Sequence, residues 1–314
     1  MIGIDVGGAN LKVVDGAGKV HIHYCPLWQD APIAELLMPY NTLPDEPVAV
    51  VMSGELADCF RNKNEGIGFI VDEVRTAFPK ALFYGTDARF HNGPAPQLAA
   101  ANWLASADFL REKYPDAILL DIGSTTADII PLPRFDRLLG LTDLKRLQAG
   151  YLRYTGMLRT NIATLLSEVV LDGIVTPVST EYFASSADAH LVLDHISIAD
   201  YSSDTADKKE KTLEASLRRL ARVVCADLEE TGTDGALQVA RAFWEKQRNV
   251  ILNQVIKVQN ETGAERIIVA GIGSQLFAKE LSAIDLTQEL GHVADALPAF
   301  AVREILARET GVPE

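Results

Sequence analysis

The chain begins Met1-Ile-Gly-Ile-Asp5-Val-Gly7-Gly8-Ala-Asn10-Leu-Lys12, and the prediction of its fold starts from this stretch. The apolar residues before Asp5 predict a buried strand, and the run 11–14 predicts a second strand after the glycines. Glycines at a strand tip let backbone N–H groups approach a phosphate closely. A carboxylate at the strand end can hold a divalent cation. The stretch therefore predicts a phosphate-binding hairpin, although a glycine hairpin that only turns the chain explains the same residues.

Two later stretches repeat parts of this pattern. Ile118-Leu-Leu-Asp121-Ile-Gly123-Ser124-Thr125-Thr126-Ala-Asp128-Ile-Ile130 predicts a buried strand that ends in an aspartate, a turn of glycine and hydroxyl residues, and another strand. Ile267-Ile-Val-Ala-Gly271-Ile-Gly273-Ser274-Gln275 predicts a strand and a glycine turn, with Ser274 as N-cap of the next helix. The sequence has no G-x-x-x-x-G-K-S/T loop and no G-x-G-x-x-G turn before a helix. No single stretch therefore identifies a nucleotide-binding fold, and the order of the three stretches is a more specific signal than any one of them.

Two Asp-x-Gly hairpins followed by a late Gly-x-Gly-Ser turn resemble the superfamily of actin, sugar kinases and heat-shock ATPases. The resemblance implies an α/β fold of two ribonuclease-H-like domains around a phosphate-binding cleft, as in actin-like ATPases. We place the first domain at residues 1–115 and the second, with helical insertions, at 116–314. The last helix, predicted over 298–308, is expected to pack back on the first domain.

Composition narrows the class of protein and of partner. The 314 residues exceed one domain of roughly 100–150 residues. A net charge of −14 with scattered basic residues argues against nucleic acid and anionic membranes as partners. Cys25, Cys59 and Cys225 share no metal-ligand spacing, and an odd number argues against a disulfide framework. We expect a cytoplasmic protein, because no signal core and no apolar run of about 18 residues is present. The oligomeric state stays open.

Several motifs narrow the resemblance to one family. The motifs are Gly3-Ile-Asp-Val-Gly-Gly-Ala-Asn-Leu-Lys12, Ala101-Asn102-Trp103, Asp121-Ile-Gly-Ser-Thr-Thr-Ala-Asp128, Tyr154-Thr-Gly-Met-Leu-Arg159 and Thr176-Pro-Val. They are similar to the hydantoinase/oxoprolinase-related family, and within it to tetrahydromethanopterin-linked C1-transfer pathway proteins, over essentially the whole chain. Archaeal relatives join a furan-methanol diphosphate to γ-glutamyltyramine, with loss of diphosphate, in methanofuran biosynthesis. The resemblance implies a transferase that forms an ether and holds a diphosphate leaving group in its cleft.

On this interpretation the two hairpins and the late turn bind phosphate. The predicted phosphate-binding residues are Asp5, Gly7, Gly8, Asn10, Gly123, Ser124, Thr125, Thr126, Gly271, Gly273 and Ser274. Asp5 and Asp121 would hold Mg²⁺, which usually takes only one or two carboxylates. Lys12 would neutralise charge that develops on the leaving group. The predicted catalytic residues are Lys12, Asp121, Asp128, Glu181 and Asp188.

A cleft wall for the acceptor is predicted from the segment 176–188, which is dense in hydroxyls and ends in an acid. Glu181 or Asp188 would accept the proton of the phenol. A polar loop with a Ser/Thr cap, or packing between domains, explains the same residues. Upstream, the sequence predicts helices over 138–147 and 151–170. The predicted wall residues are Tyr154, Arg159, Thr176 and Tyr182.

Three functions stay open. The first is the transferase that displaces diphosphate. The second is an ATP-dependent kinase or hydrolase of the same superfamily, which would use ATP and release ADP. Both would act on a small-molecule phosphate or diphosphate. The third is a non-catalytic nucleotide-binding regulator, against which the presence of Asp5, Asp121 and Asp128 argues.

Overall fold

The structure, a computed structural model, describes residues 1–29, 31–43 and 46–311. Its first mixed sheet is built from β1 (Ile2–Val6), β2 (Asn10–Val14), β3 (Val20–Tyr24), β4 (Val48–Met52), β5 (Leu82–Tyr84) and β6 (Phe90–His91). The strands lie in the order β3-β2-β1-β4-β5-β6, with β1 antiparallel to β2 and parallel to β4. Every residue of β1 and β4 is buried, as expected for strands that are covered on both faces.

A second mixed sheet repeats this arrangement. The later strands are β7 (Ala117–Ile122), β8 (Ala127–Pro131), β9 (Leu152–Arg153), β10 (Glu168–Leu171), β11 (Ile174–Pro177), β12 (Arg266–Ala270) and β13 (Ile284–Asp285). The order β9-β8-β7-β12-β13, with β7 antiparallel to β8 and parallel to β12, matches β3-β2-β1-β4-β5. Strands β10 and β11 form a separate hairpin. The ribonuclease-H-like arrangement in each half confirms the predicted fold class.

Helices connect and cover the sheets. They are α1 (Ile33–Leu37), α2 (Lys63–Ala77), α3 (Asn102–Leu110), α4 (Phe135–Leu138), α5 (Asp143–Ala149), α6 (Ser186–Val192), α7 (Leu213–Arg222), α8 (Leu228–Thr262), α9 (Ser274–Leu281), α10 (Leu286–Leu290) and α11 (Leu297–Thr310). Helix α8 is interrupted at Gly232, whose φ of 64° favours glycine. Within the described residues, no helix combines the length and apolar character that a bilayer crossing requires.

The predicted helix over 151–170 is wrong. The segment carries β9, a 3₁₀ turn at Ile162–Thr164 and β10. The backbone N–H of Met157 donates to the carbonyl of Gly123, and those of Leu158 and Arg159 donate to the carbonyl of Ser124. A continuous helix would use these N–H groups within its own turns. The apolar residues of the segment are therefore buried beneath the turn between β7 and β8, not along a helical stripe.

Helix α11 packs against β1, β4 and α3. Gly3 makes the contact with β1 possible, because a Cβ at this position would stand 1.9 Å from the carbonyl oxygen of Ala299. The Nε of Arg303 also donates to the carbonyl oxygen of Met1 at 3.1 Å. The last helix thus returns to the first sheet. The domain boundary near residue 115 stays a prediction.

Candidate active site

The turn between β1 and β2 (residues 7–10, hairpin 1) and the turn between β7 and β8 (residues 123–126, hairpin 2) are built alike. In hairpin 1 the N–H of Gly7 donates to the carbonyl of Asn10 at 3.0 Å, and in hairpin 2 the N–H of Gly123 donates to the carbonyl of Thr126 at 2.9 Å. Each hairpin follows a strand that carries an aspartate. The two halves therefore present equivalent turns at the ends of equivalent strands.

The residue opposite each aspartate differs between the halves. Asp5 lies opposite Lys12 in the β1–β2 register, whereas Asp121 lies opposite Asp128 in the β7–β8 register. One half thus pairs an acid with a base, and the other places two acids side by side. Because like charges disfavour ionisation of each other, the second hairpin needs a cation from elsewhere.

The two hairpin aspartates are electrostatically coupled. Burial raises the pKa of Asp5 to about 6, against the opposing charge of Lys12. Burial, and then the charge of Asp128, raise the pKa of Asp121 to about 6; Lys12 lowers it and Asp5 raises it further. Asp5 is 5% exposed, and its Oδ1 has no hydrogen-bond partner among the described residues. Both carboxylates and Lys12 therefore belong to one site between the hairpins.

Lys12 is held by the chain that leads into α11. Its Nζ donates to the backbone carbonyl of Asp295 at 2.8 Å, and no carboxylate pairs with it in the described part of the chain. Its charge nevertheless opposes the effect of burial, which raises the pKa of both Asp5 and Asp121. The lysine is therefore positioned to act on an anion bound between the hairpins.

The late glycine turn lies against hairpin 2. Gly271 has a φ of +82°, and a Cβ there would stand 2.5 Å from the Oδ1 of Asp121. The N–H of Gly273 donates to the carbonyl of Ile122 at 3.2 Å. Ser274 is the first residue of α9, not its predicted N-cap, because Gly273 occupies the cap position. The turn therefore fixes the end of the strand that carries Asp121.

Asp128 is already paired. The guanidinium of Arg146 contacts its carboxylate, bonds Asp143 at 2.8 Å and stacks 4.3 Å above the ring of Trp103. Burial raises the pKa of Asp128, and Arg146 opposes that shift. Arg146 is 3% exposed. Asp128 therefore lies opposite Asp121 and forms an ion pair with Arg146. This ion pair explains the position of Asp128 without the predicted catalytic role.

Arg159 spans the space between the two hairpins. Its N–H donates to the carbonyl of Ser124 in hairpin 2 at 3.0 Å, and its guanidinium lies 5.4 Å from the ring centroid of Trp28. Trp28 follows Leu27, whose N–H donates to the carbonyl of Gly8 in hairpin 1 at 3.0 Å. The exposed guanidinium forms no ion pair within residues 1–29, 31–43 and 46–311. The sequence predicted Arg159 but missed Trp28.

The other predicted wall residues behave differently from Arg159. Tyr182 is 45% exposed; burial raises its pKa, and the charge of Arg159 lowers it, so the two side chains lie near each other. Tyr154 is 72% exposed and Glu181 is also exposed. The Thr176 hydroxyl donates to the carbonyl of Ile174 within the β10–β11 hairpin. In the described ranges, no hydrogen bond or ion pair joins the side chains of Tyr154, Glu181 and Thr176 to the hairpins.

The structure contradicts the predicted catalytic role of Asp188. Its side chain is fully buried and pairs with Arg219 at 2.7 Å. The carboxylate also accepts hydrogen bonds from the N–H of Ser185, the hydroxyl of Tyr201 and the hydroxyl of Ser216. With Ser185 it forms the capping box of α6. A buried carboxylate that pairs with an arginine and accepts hydrogen bonds at both oxygens is a poor proton acceptor, so a structural role accounts for Asp188.

The site fits a Mg²⁺ ion with few protein ligands. Among the described residues, no group of three or more His, Cys, Asp or Glu side chains could hold a metal. Asp5 and Asp121 would supply the one or two carboxylates that Mg²⁺ usually takes, with water and phosphate oxygens completing its shell. A bound cation would give the Oδ1 of Asp5 a partner and would lower the raised pKa values of both aspartates.

Paired ribonuclease-H-like sheets with a glycine hairpin at each central strand define a protein of the actin and sugar kinase fold class. The chain belongs to the hydantoinase/oxoprolinase family, whose model matches residues 46–302. This confirms the family resemblance predicted from the motifs.

Two relatives are 35% identical to this chain, and both are named "(4-{4-[2-(gamma-L-glutamylamino)ethyl]phenoxymethyl}furan-2-yl)methanamine synthase". The alignment with the protein of Methanocaldococcus jannaschii is 324 positions long, and it covers 98% of this chain and 98% of that protein. The protein of Methanococcus vannielii aligns over 214 residues, 65% of this chain and 96% of its own length. A ROK family glucokinase from Streptomyces griseus, solved with glucose and AMPPNP, covers 98% of this chain at 13% identity with a TM-score of 0.46, too low to add to the argument.

Proposed function

We propose that this protein is a transferase of methanofuran-type cofactor biosynthesis, which couples a furan-methanol diphosphate to a tyramine-type phenol and releases diphosphate. The observation that carries the proposal is the 35% identity, over 98% of both chains, to the Methanocaldococcus jannaschii synthase. The name of that relative specifies a phenoxymethyl group on a furan, which is an ether between a phenol and a furan methylene. The cleft supplies the physical support, because it presents two hairpins that suit a diphosphate.

The reaction sets two requirements for the site: it must stabilise the charge on the leaving diphosphate, and it must hold the two substrates together while the phenol loses its proton. The phenol oxygen forms a bond to the furan methylene carbon while the bond from that carbon to the diphosphate oxygen breaks. The bonding electron pair leaves with the diphosphate, and the phenol loses its proton. Charge stabilisation on the departing oxygen is therefore the main catalytic requirement. Holding both substrates in one cleft also removes the entropic cost of their encounter.

The chain's own groups meet the first requirement. Backbone N–H groups at the glycine and hydroxyl positions of the two hairpins would donate to phosphate oxygens. Lys12 and Arg159 would add positive charge, which matters in a protein with a net charge of −14. Asp5 and Asp121 would hold Mg²⁺, which when bound neutralises charge on the diphosphate oxygens. The late Gly271 turn would fix Asp121 in place for this role.

Arg159 provides a direct test of diphosphate binding. We expect Arg159→Gln to weaken the binding of inorganic diphosphate about tenfold, because an exposed charged hydrogen bond contributes at the low end of its range. Isothermal titration calorimetry with Mg²⁺ present measures this Kd. Arg61→Gln is the matched control, because Arg61 is exposed and pairs only with Glu65 on α2 in the described chain. Equal Kd values for Arg159→Gln and the wild type would remove Arg159 from the phosphate site.

The proposed activity is tested without nucleotide. The protein is incubated with a furan-methanol diphosphate, a tyramine-type phenol and Mg²⁺, and the ether and released diphosphate are measured. We expect both products in equal amounts, and no dependence on ATP. ADP formation from ATP, with neither ether nor diphosphate released, would replace the proposal by the kinase or hydrolase alternative.

A further inference from the structure

Glu55 is a buried acid beside hairpin 1. The N–H groups of Ser53 and Gly54 both donate to the carbonyl of Val6, at 2.9 and 3.1 Å. Gly54 packs so closely on Gly7 that a Cβ there would stand 2.9 Å from the Gly7 carbonyl oxygen. Glu55 follows at once and is 1% exposed. Its position is therefore fixed by the same strand end that builds the hairpin.

The carboxylate of Glu55 is only partly satisfied. Its Oε1 lies 3.9 Å from the Nζ of Lys63 in the first turn of α2, and its Oε2 has no hydrogen-bond partner among residues that the structure describes. Burial raises the pKa of Glu55; its own N–H, Lys63 and the N–H of Ala100 oppose the shift, and Asp143 adds to it. An unsatisfied buried acceptor is costly, so this oxygen is expected to have a ligand.

Two further buried donors also have no partner in the described chain. They are the indole Nε1 of Trp103 and the Nε of Arg146. Arg146 stacks on Trp103 and bonds both Asp143 and Asp128, so it connects the surroundings of Glu55 with the strand pair that carries Asp121. Trp103 follows Ala100 by three residues, and the N–H of Ala100 donates to the Glu55 carboxylate. An acceptor and two donors without partners in the described chain thus lie on residues that these contacts connect, beside hairpin 1.

A ligand that suits this region must both donate and accept hydrogen bonds. A hydroxyl group does so, because it has one O–H donor and two acceptor lone pairs. A phosphate does not, because it would place further negative charge against Glu55, Asp143 and Asp128. An ammonium would satisfy Glu55 but would leave the donors of Trp103 and Arg146 without acceptors. The chemistry of the region therefore favours the hydroxyl of the acceptor.

We propose that Glu55 is the proton acceptor for the acceptor's phenol, with Trp103 and Arg146 bordering the hydroxyl subsite. This inference rests on the proposed function. The phenol O–H bond breaks and its proton passes to the Glu55 carboxylate. The phenol oxygen then bonds the furan methylene carbon as the diphosphate leaves with its electron pair. Glu55 thereby takes the role that the sequence assigned to Glu181 or Asp188.

Burial supports this role for a carboxylate. A phenol has a pKa near 10, far above that of an exposed glutamate. A carboxylate whose pKa is raised is a better base for such a proton, because proton transfer is less uphill. Asp188 is less suited to this role, since its carboxylate pairs with Arg219 and accepts hydrogen bonds from three other donors.

The test compares two phenols in the Glu55→Gln variant. We expect its coupling rate with tyramine-type phenol to fall about 100-fold or more, the range of general-base catalysis. With a difluorotyramine that carries both fluorines next to the hydroxyl, the phenol is already ionised near neutral pH, so much of the rate should return. The Kd for inorganic diphosphate should stay unchanged. Glu214→Gln, at an exposed acid on α7 that pairs with Arg218, is the matched control.

Each other outcome counts against the assignment. An equal loss of rate with both phenols, or a parallel rise in the diphosphate Kd, would show that Glu55 is structural. If Glu55→Gln does not fold, Glu55→Asp replaces it, because it keeps a carboxylate at a shifted position. Its coupling rate with the tyramine-type phenol should lie below that of the wild type, and the loss should be smaller with the fluorinated phenol. An equal loss of rate in Glu55→Asp with both phenols would overturn the proposal. Failure of the wild type to couple either phenol would overturn the proposed function itself.

Discussion

We expect Asp5→Asn and Asp121→Asn each to lower turnover by about two to three orders of magnitude, the usual cost of removing an electrostatic group from a reacting site. The same variants should be as stable as the wild type without ligand, or more stable. Neither carboxylate accepts a hydrogen bond from another side chain in the described part of the chain, and the Oδ1 of Asp5 has no partner at all there. The substitutions therefore break no side-chain hydrogen bond in the described part of the chain, and burial disfavours both charges more than Lys12 favours them.

The pH dependence gives the sign of the stability effect. A carboxyl whose folded pKa is raised stabilises the fold most below its unfolded pKa of 3.8, and this stability is lost as pH rises through about 6. For buried Asp5 the shift from 3.8 to about 6 corresponds to at most about 3 kcal/mol at neutral pH. Asn does not ionise, so Asp5→Asn should raise Tm by a few degrees at pH 7.5 and leave it unchanged near pH 3.5.

Thermal unfolding at the two pH values and turnover at pH 7.5 test both expectations together. The matched control is Asp116→Asn, because Asp116 is a partly exposed carboxylate away from the hairpins that pairs with Arg266. A marked loss of stability at pH 7.5 in Asp5→Asn or Asp121→Asn would mean that these acids hold the fold together. Retained turnover would exclude them from the reacting site.

Of the variants proposed, Asp188→Ala should lower the free energy of unfolding the most, by about 3–5 kcal/mol. It leaves the fully buried guanidinium of Arg219 without its closest carboxylate. The variant also removes the acceptor for Ser185, Tyr201 and Ser216. Turnover per folded molecule should stay close to that of the wild type. Urea unfolding measures the loss of stability, and activity normalised to the folded fraction measures the catalytic effect.

The double variant Asp188→Leu, Arg219→Met separates the loss of a contact from the burial of an unpaired charge. Replacement of a buried ion pair by apolar residues of similar size is often neutral, so the double variant should be more stable than Asp188→Ala. A stable Asp188→Ala protein that has lost turnover would restore the catalytic role that the sequence suggested and the structure contradicts.

The sequence predicts the frame of this molecule because its signals are local. Asp5 and Asp121 each end a buried strand before a glycine, and short-range turn chemistry is sufficient to place both hairpins. The structural role of Asp188 was also readable, since Ser185-Ser-Ala-Asp188 has the spacing of a capping box. That signal competed with the interpretation of the segment as a polar cleft wall, which was wrong for Asp188.

Other parts of the site depend on contacts between distant segments. Trp28 reaches Arg159 only because both of their loops bond to the hairpins, and no local pattern marks that tryptophan. Arg146 is identified by its contacts with Asp128 and Trp103, not by its position in α5. Glu55 is identified by its burial and by an oxygen without a partner in the described chain, which are properties of the folded state that it shares with Asp5.

The central claim is that the bond between the furan methylene carbon and the diphosphate oxygen breaks. The most direct measurement places a heavy oxygen isotope at that bridging position of the substrate and follows it by mass spectrometry after coupling without nucleotide. We predict that all of the label appears in the released diphosphate and none in the ether, whose oxygen comes from the phenol. Label recovered in a furan alcohol would show cleavage between phosphorus and oxygen, and would contradict the proposed transferase mechanism.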